Sequence, residues 1–538
     1  MKVAFRVDSS TCMGTGHLTR CLTLAETLRE RDVETRFICR EHPGHLIALL
    51  HQRAMPVTLL PASKPEDTPH GTGYSSWLGA TPSTDAEQTI AALQDERPDW
   101  LVVDHYGIDL AWEQHLRPRV AQLMAIDDLA NRDHDCDVLL DQNYSSEGER
   151  RYSGRVPAGC RCLIGPRYAL LRPEYAAYRQ TSQVRSTRRV ENVLVFFGAD
   201  SQNATELALE ALSLPEFRHL TVDLVFGSEV PRRETLEALV ASRPLTTLHG
   251  LRPQLADLMA KADLAIGGCG ATTWERMCLG LPSIVVSMAE NQQPASEALA
   301  VAGLIHYVGD VTSLRSAQLA DALREMIAAP HRLSALSASN GFLVDGLGAL
   351  RVAEVMEPTP ADQLAMRPAS QGDIELYFNW ANDPEVRRQA TCSAPIAWSR
   401  HQEWFADKLA DRCSQLFVLL AGALPVGQIR YDRKGDQAQI DYSLDVLVRG
   451  RGWGVSLVSM GNALVQASGP IQLRAEVKAG NQASRSVFVR LGFEQASSTQ
   501  AGEEYIHFTR DPVRCVGQGS DSVANVLTAS HAAGQVDA

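Results

Sequence analysis

The sequence predicts an α/β protein of three folded units: two parallel-sheet halves of similar build, then a smaller unit of mixed helix and sheet. A chain of 538 residues is too long for one ordinary hydrophobic core and, at about 100 to 200 residues per domain, holds about three. Short β-branched runs alternate with helical stretches twice over, the pattern of parallel strands joined by crossover helices. Beyond residue 364 the alternation gives way to neighbouring strands with short connections.

In the first half, "VAFRV", "DWLVVDHY" and "LMAIDD" are strands, and residues 1–180 read as a Rossmann-like half. A polar, basic break follows in "QTSQVRSTRR". Over 190–355 the runs "VENVLVFFGAD", "LTVDLVFG", "ADLAIGG" and "PSIVVSM" restart the same alternation. Two such halves hold a ligand in the crevice outside the carboxyl ends of the strands, the GT-B arrangement. Pro358 and Pro360 predict an extended linker over 356–363. The third unit spans 364–511, with "LFVLLAGALPVGQIRYD" and "AQIDYSLDV" as antiparallel neighbours ahead of a helix after Gly454. Residues 512–538, rich in Ser, Gly, Ala and Asn without periodicity, read as a disordered tail.

Composition excludes several classes. With 51 Lys plus Arg against 64 Asp plus Glu, the net charge of −13 argues against a nucleic-acid footprint. No apolar run approaches the roughly 20 residues that span a bilayer, and "MKVAFRVDSS" lacks the apolar core and cleavage site of a signal peptide. A cytoplasmic protein is expected. The 11 cysteines are scattered, with Cys160 and Cys162 too close for the usual zinc spacing, so reduced thiols are expected.

In "DSSTCMGTGHLTRCLTLAETL", Gly14 and Gly16 bracket a tight turn, and Leu18, Cys21, Leu22, Ala25 and Leu28 share one face of the following helix. His17 then stands at the helix N-terminus, where the helix field favours a neutral imidazole able to act as a base or phosphate donor. A plain turn histidine is the alternative. In the second half, "GGCGATTWE" follows a strand, and Gly267, Gly268 and Gly270 free backbone amides to cradle a diphosphate. Thr272 and Thr273 add hydroxyls, Glu275 is placed to accept from ribose, and Asn291 and Gln292 follow in "ENQ". Close helix packing also explains such glycines.

Six ordered blocks, "RVDSSTCMGTGHLTR", "YSSWLGATPSTDA", "DHYGID", "IDDLANRDHDCDVLLDQN", "GGCGATTWERMCLGLPSIVV" with "ENQ", and "DGLGALR", resemble the UDP-sugar hydrolase of pseudaminic acid biosynthesis. The resemblance covers about 1–355 and implies a fold similar to the glycosyltransferase that adds N-acetylglucosamine to a peptidoglycan lipid precursor. It implies removal of UDP from UDP-2,4-diacetamido-2,4,6-trideoxy-β-L-altropyranose by water attack at the anomeric carbon. His17 would activate the water, Tyr106 would hold sugar or water, and Gly16, Arg20, Gly268, Gly270, Thr272, Thr273, Glu275, Asn291 and Gln292 would bind substrate and UDP. Asp8, at the cleft mouth, and Asp104 are second-line candidates. Protein amides would neutralise the diphosphate, so no metal is expected.

In "LDVLVRGRGWGVSLV", Arg449, Gly452 and Gly454 form an Arg-x-x-Gly-x-Gly turn whose amides would grip a pyrophosphate. With "AEVKAGNQASRSVFVRLGF" downstream, residues 364–510 resemble the GNAT acetyltransferases, which implies acetyl-CoA as cosubstrate. Under this resemblance Leu447 and Val448 are strand backbone facing pantetheine, Arg449, Gly450, Gly452 and Gly454 the pyrophosphate loop, and Asn481 and Ser484 later contacts to the CoA arm. Glu476 is the base candidate and Asp441 a weaker one. The family's thiolate-protonating tyrosine is here Phe488, leaving Ser484, water, another tyrosine such as Tyr442, or unassisted departure. Trp380, Asn382, Arg387, His401 and Trp404 resemble acceptor-side residues of members acting on nucleotide-linked amino sugars, with Trp380 and Trp404 equally readable as core anchors. The partners implied are small molecules, a UDP-linked amino sugar and acetyl-CoA. Two rivals stand beside this reading: a GT-B glycosyltransferase with an appended acetyltransferase, and a non-catalytic UDP-sugar sensor.

Overall fold

The computed structural model describes the chain except residues 63–72, 95, 182–188, 199, 201, 227–232, 251, 253, 501–502 and 513–538. The expected tail and most of the basic break therefore lie outside the described residues. Two compact units form, Met1–Met356 and Glu357–Ala538.

The first unit contains two Rossmann-like parallel sheets. One joins β1 (Lys2–Val7), β2 (Glu34–Arg40), β3 (Val57–Leu60), β4 (Trp100–Asp104), β5 (Gln122–Ile126), β6 (Val138–Asp141) and β7 (Arg161–Ile164) in the order 3-2-1-4-5-6-7. The other joins β8 (Asn192–Phe196), β9 (Thr221–Val225), β10 (Thr246–His249), β11 (Leu264–Gly268), β12 (Ser283–Ser287) and β13 (His306–Asp310) in the order 10-9-8-11-12-13. In each, winding reverses beside the first strand, between β1 and β4 and between β8 and β11. There the connecting loops diverge and leave a crevice at the carboxyl ends of the strands. Strands buried on both faces explain the near-continuous apolar runs in the sequence.

Two helices cross the division expected near residues 180 and 355. The helix Pro173–Thr181 carries Tyr175, and Leu171 just ahead of it, into a core with Leu194, Ala265, Trp274 and Val285 of the second half. The helix Gly348–Met356 returns to the first half, where Glu354 pairs with Arg31 at 2.8 Å and the Met356 carbonyl accepts from Trp100 Nε1 at 3.1 Å. Gly348 must be glycine there, since a Cβ would sit 2.2 Å from the Ala169 carbonyl oxygen. This exchange covers the outer side of the first helix, Gly16–Arg29, which is buried on more than its apolar stripe.

In the second unit, β14 (Leu364–Pro368), β15 (Ser414–Ala421), β16 (Leu424–Lys434), β17 (Gln437–Leu444), β18 (Gln472–Lys478), β19 (Glu494–Gln500) and β20 (Glu503–Arg510) form a sheet of order 14-15-16-17-18-20-19. All its pairs are antiparallel except β17 with β18, which is parallel and short: Gln437–Gln439 against Gln472–Arg474. The helix expected after Gly454 begins at Trp453, because Gly452 at φ +80° supplies the left-handed N-cap. Within the expected linker, Ala361–Gln363 form a 3-10 turn. Among the described residues no helix is long and apolar enough to cross a membrane, and no cluster of His, Cys, Asp and Glu is arranged to hold a metal ion.

Candidate functional site

The β1/β4 crevice gathers the first set of predicted residues. Asp104 ends β4, fully buried, and accepts from three sides: His17 Nδ1 at 2.6 Å, Arg20 Nε at 2.6 Å and Arg20 Nη2 at 2.7 Å. The helix turn brings His17 and Arg20 onto one face, three residues apart. Burial alone would raise the Asp104 pKa, but Arg20 and then His17 hold it well below the usual carboxylate range. An ionised Asp104 accepts a hydrogen bond from a protonated His17 Nδ1, and in the neutral imidazole of that tautomer Nε2 carries the lone pair. Gly16, beside it, opens on empty space, with no atom within 4 Å of where a Cβ would stand.

Tyr106 packs edge-on against His17, ring centroids 4.6 Å apart, and Tyr74 and Trp77 flank it at 4.9 and 5.8 Å. Its hydroxyl donates to Asp128 Oδ1 at 2.6 Å, while Asp128 Oδ2 receives Arg20 Nη1 at 3.3 Å. Burial, then Asp128, pushes the phenol well above its ordinary range, so it stays a protonated donor. Sequence reasoning did not single out Asp128, although it lies in the quoted "IDDLANRDHDCDVLLDQN" block, at a carboxyl end beyond β5. Tyr74 and Trp77 were likewise only part of a quoted block.

Asp8 is not at the cleft mouth. It is buried, with Arg6 Nη1 at 2.7 Å and the Arg40 amide at 2.6 Å, in a network that continues through Asp85 to Arg6 and Arg40. Its role is to tie β1 to the end of β2.

At the β8/β11 crevice the glycines divide. A Cβ on Gly267 would lie 2.3 Å from the Phe196 carbonyl oxygen, and one on Gly268 would lie 2.9 Å from Met288 Cγ, so both glycines serve packing. Gly270 meets only Gln292 Nε2, at 3.9 Å, and is the glycine with room beside it. Thr272 is half-buried. Thr273 corrects the sequence expectation: it is buried, its hydroxyl donates to the Gly268 carbonyl at 3.3 Å and accepts from Arg276 at 3.1 Å, so it braces the loop from inside. Glu275 is engaged by the Tyr175 hydroxyl, and burial raises its pKa. One carboxylate oxygen pair can still accept further bonds, but the site is not the open acceptor the sequence suggested. Gln292 Oε1 accepts from the Met288 amide at 3.0 Å, and Asn291 is exposed on the same 3-10 turn. Glu290, on that turn, lies close enough to Tyr74 to contribute to raising the tyrosine's pKa, after burial and Asp128.

In the second unit, Leu447 and Val448 are not strand backbone. They form a buried 3-10 turn capped by Asp445, which accepts from the Leu447 amide at 2.9 Å. Gly450 (φ +82°) and Gly452 (φ +80°) have open space around them, and their left-handed backbone curls the loop over the helix start. The Arg449 side chain turns inward, to the Leu444 carbonyl at 3.1 Å and Asp383 at 2.8 Å, so this arginine offers its backbone to the loop. Gly454 packs against Val487, 3.0 Å from a Cβ. Asn481 Oδ1 caps the helix Gln482–Arg490 by accepting from the Ser484 amide at 3.1 Å. Glu476 is half-exposed on β18, 3.6 Å from His507 Nδ1, and Asp441 accepts from Gln428 at 3.2 Å.

The acceptor-side residues are mostly structural. Trp380 is buried with Nε1 on Asp445 at 2.9 Å; Asn382 clamps Ile396 through both amide atoms; His401 is buried with Nε2 at 2.8 Å from the Ile374 carbonyl. Arg387 bonds the Cys392 carbonyl at 3.1 Å, and Trp404 packs against the small core with Arg430 over its ring at 5.1 Å.

Residues 363–494 match the family model of the acetyltransferase (GNAT) domain, and the second unit is an acetyltransferase domain of that type. The chain is also a homologue of the UDP-2,4-diacetamido-2,4,6-trideoxy-beta-L-altropyranose hydrolase of Campylobacter jejuni, 25% identical over 56% of this chain and 97% of the relative. Similarity to an uncharacterized protein of Methanocaldococcus jannaschii, 20% identical, spans 94% of this chain and 99% of that one. Among solved structures, MurG of Acinetobacter baumannii matches with a TM-score of 0.48 at 15% identity, over 66% of this chain and 99% of its own.

Proposed function

We propose that the first unit hydrolyses a UDP-linked amino sugar and that the second transfers an acetyl group from acetyl-CoA to the amine of a related UDP-sugar. The observation that carries the first part is the His17–Asp104–Arg20 constellation at a topological switch point. A glycosyl carbon losing a diphosphate needs an activated water, and His17 Nε2, with Nδ1 committed to Asp104, is a general base held in one tautomer. Arg20 keeps Asp104 ionised, while Tyr106, anchored by Asp128, walls the reacting carbon with Tyr74 and Trp77. The loop at Gly270, with Thr272, Asn291 and Gln292, would receive the diphosphate and Glu275 the ribose. The Campylobacter relative's name supports the substrate UDP-2,4-diacetamido-2,4,6-trideoxy-β-L-altropyranose.

In the second unit the loop of Leu447, Val448, Arg449, Gly450, Gly452 and Gly454 would hold the pyrophosphate of acetyl-CoA, Asn481 and Ser484 would line its arm, and Glu476 would take the amine proton. Acetylation followed by UDP removal makes the two activities consecutive steps on one sugar. The deciding experiment incubates the purified chain with the UDP-diacetamido sugar and no acceptor: UDP and free sugar are expected, and absence of UDP release overturns the hydrolase reading. Release only when a carbohydrate or lipid acceptor is added would make the first unit a glycosyltransferase. For the second unit, free CoA should accumulate on mixing acetyl-CoA with the UDP-4-amino sugar.

A further inference from the structure

Two rings of the aromatic wall beside His17 are held by one short turn. It leads from Asp104, the last residue of β4, to Asp109, which caps the helix Leu110–Leu116. Asp104 bonds His17 at one end of the turn and Tyr106 packs on His17 from its middle, with His105 between them. His105 is buried. Its Nδ1 accepts from the Gly107 amide at 3.0 Å and its carbonyl from the Ile108 amide at 3.2 Å, so side chain and backbone close the turn together. A neutral imidazole has one acceptor nitrogen, so Nε2 bears the proton, on the side of Asp8, whose Oδ2 lies 3.6 Å away. Burial pushes the ring down to about 4 against the raising effect of Asp8, and the acceptor therefore persists through the neutral range. Gly107 brings in the second ring. A Cβ there would lie 2.8 Å from the Tyr74 carbonyl oxygen and 3.0 Å from His105 Cε1, so the Tyr74 backbone closes over the turn only because the residue is glycine. The Tyr74 and Tyr106 rings then meet at 4.9 Å. Arg132 fastens the far end, with Nε on the Ile108 carbonyl at 2.9 Å and its guanidinium 5.9 Å over the Tyr106 ring.

We infer that His105 is a positioning residue of the sugar subsite, its imidazole holding the turn that sets Tyr106 and Tyr74 against His17, a reading that rests on the first unit being a UDP-sugar hydrolase. His105 touches neither the water nor the sugar. It acts by fixing the backbone on both sides of Tyr106, between the anchored Asp104 and the amide of Gly107. Without that bond the Tyr106 ring is free to shift against His17, and a misplacement of about 1 Å is enough to cost about 10²-fold in rate. The diphosphate loop at Gly270 belongs to the second half and shares none of these contacts.

The test compares three substitutions in the full chain. In His105→Asn the side-chain oxygen can still accept from the amide two residues on; in His105→Gln the volume is closer to histidine but the oxygen lies one carbon further out; in His105→Leu no acceptor is left. With the UDP-diacetamido sugar, kcat for UDP release should stay within about threefold of the wild type in His105→Asn, because asparagine remakes the turn. It should fall by about 10²-fold in His105→Gln and His105→Leu. UDP affinity, measured by calorimetry, should be unchanged in all three. Space-filling alone would reverse the order and put glutamine ahead of asparagine; that order, or a UDP affinity that falls together with kcat, overturns the positioning role. A wild type that releases no UDP overturns the hydrolase reading instead. The same chains are then ranked by their affinity for the intact UDP-sugar relative to UDP, where the turn predicts the same order and equal ratios overturn it.

Discussion

In the first half of unit one, the crevice between β1 and β4 is filled by acidic and basic side chains: Asp104, Arg20 and Asp128, with His17 and Tyr106 attached. In the second half, the crevice between β8 and β11 has the same winding and offers mostly backbone, with Gly270 open and Thr273 turned inward. Strand order therefore locates both sites, and side-chain chemistry separates them. A base needs a fixed tautomer and so a buried charged partner, whereas a diphosphate needs amides without bulk around them.

The comparison makes removal of the base the largest expected effect. His17→Ala should lower the rate of UDP release by about 10³-fold while leaving UDP affinity unchanged, as the base acts only on the water. Loss of UDP binding together with rate would place His17 with the diphosphate site instead.

The charged half should also carry the pH dependence of stability. His134 is buried between Glu113, at 2.7 Å, and Asp127, at 3.7 Å; burial disfavours its charge, but these carboxylates overcome this and raise it to about 9. Its protonated form thus stabilises the fold fully below the unfolded value near 6.5, and that contribution is lost as pH rises through about 9. Denaturant unfolding should show a fall of about 3 kcal/mol over this window, flattened in His134→Gln.

Next in size, Asp104→Asn should reduce UDP release by about 10²-fold, because an amide no longer fixes the His17 tautomer. Its pH–rate profile should shift along with the rate. A fall in rate with an unchanged profile would mean that Asp104 only braces Arg20.

The smallest effects sharpen the glycine half. Gly267→Ala should cost about 2 kcal/mol of stability, since a backbone oxygen blocks the new Cβ. Gly270→Ala should change stability by less than about 0.5 kcal/mol, as nothing nearby obstructs it. Calorimetry with UDP should nevertheless find weaker binding to the Gly270 variant; equal affinity would remove Gly270 from the diphosphate site.

The sequence by itself determined the two parallel halves, the mixed third unit and the places where chemistry would gather. β-branched runs and glycine turns are local signals, and parallel strands with crossover helices put their loops at one edge of the sheet. Tertiary structure alone decided what those residues hold. Arg20 meets Asp128 across 108 positions and Tyr442 meets Ser484 across 42, separations at which no period or spacing in the chain carries information. The same reason made Asp8 and Thr273 look like ligand groups. Each is a polar residue in a loop or at a helix start, and only packing showed them to be braces. The exchange of helices between the halves belongs here too, because an amphipathic helix records that it has an apolar face, not which core that face joins.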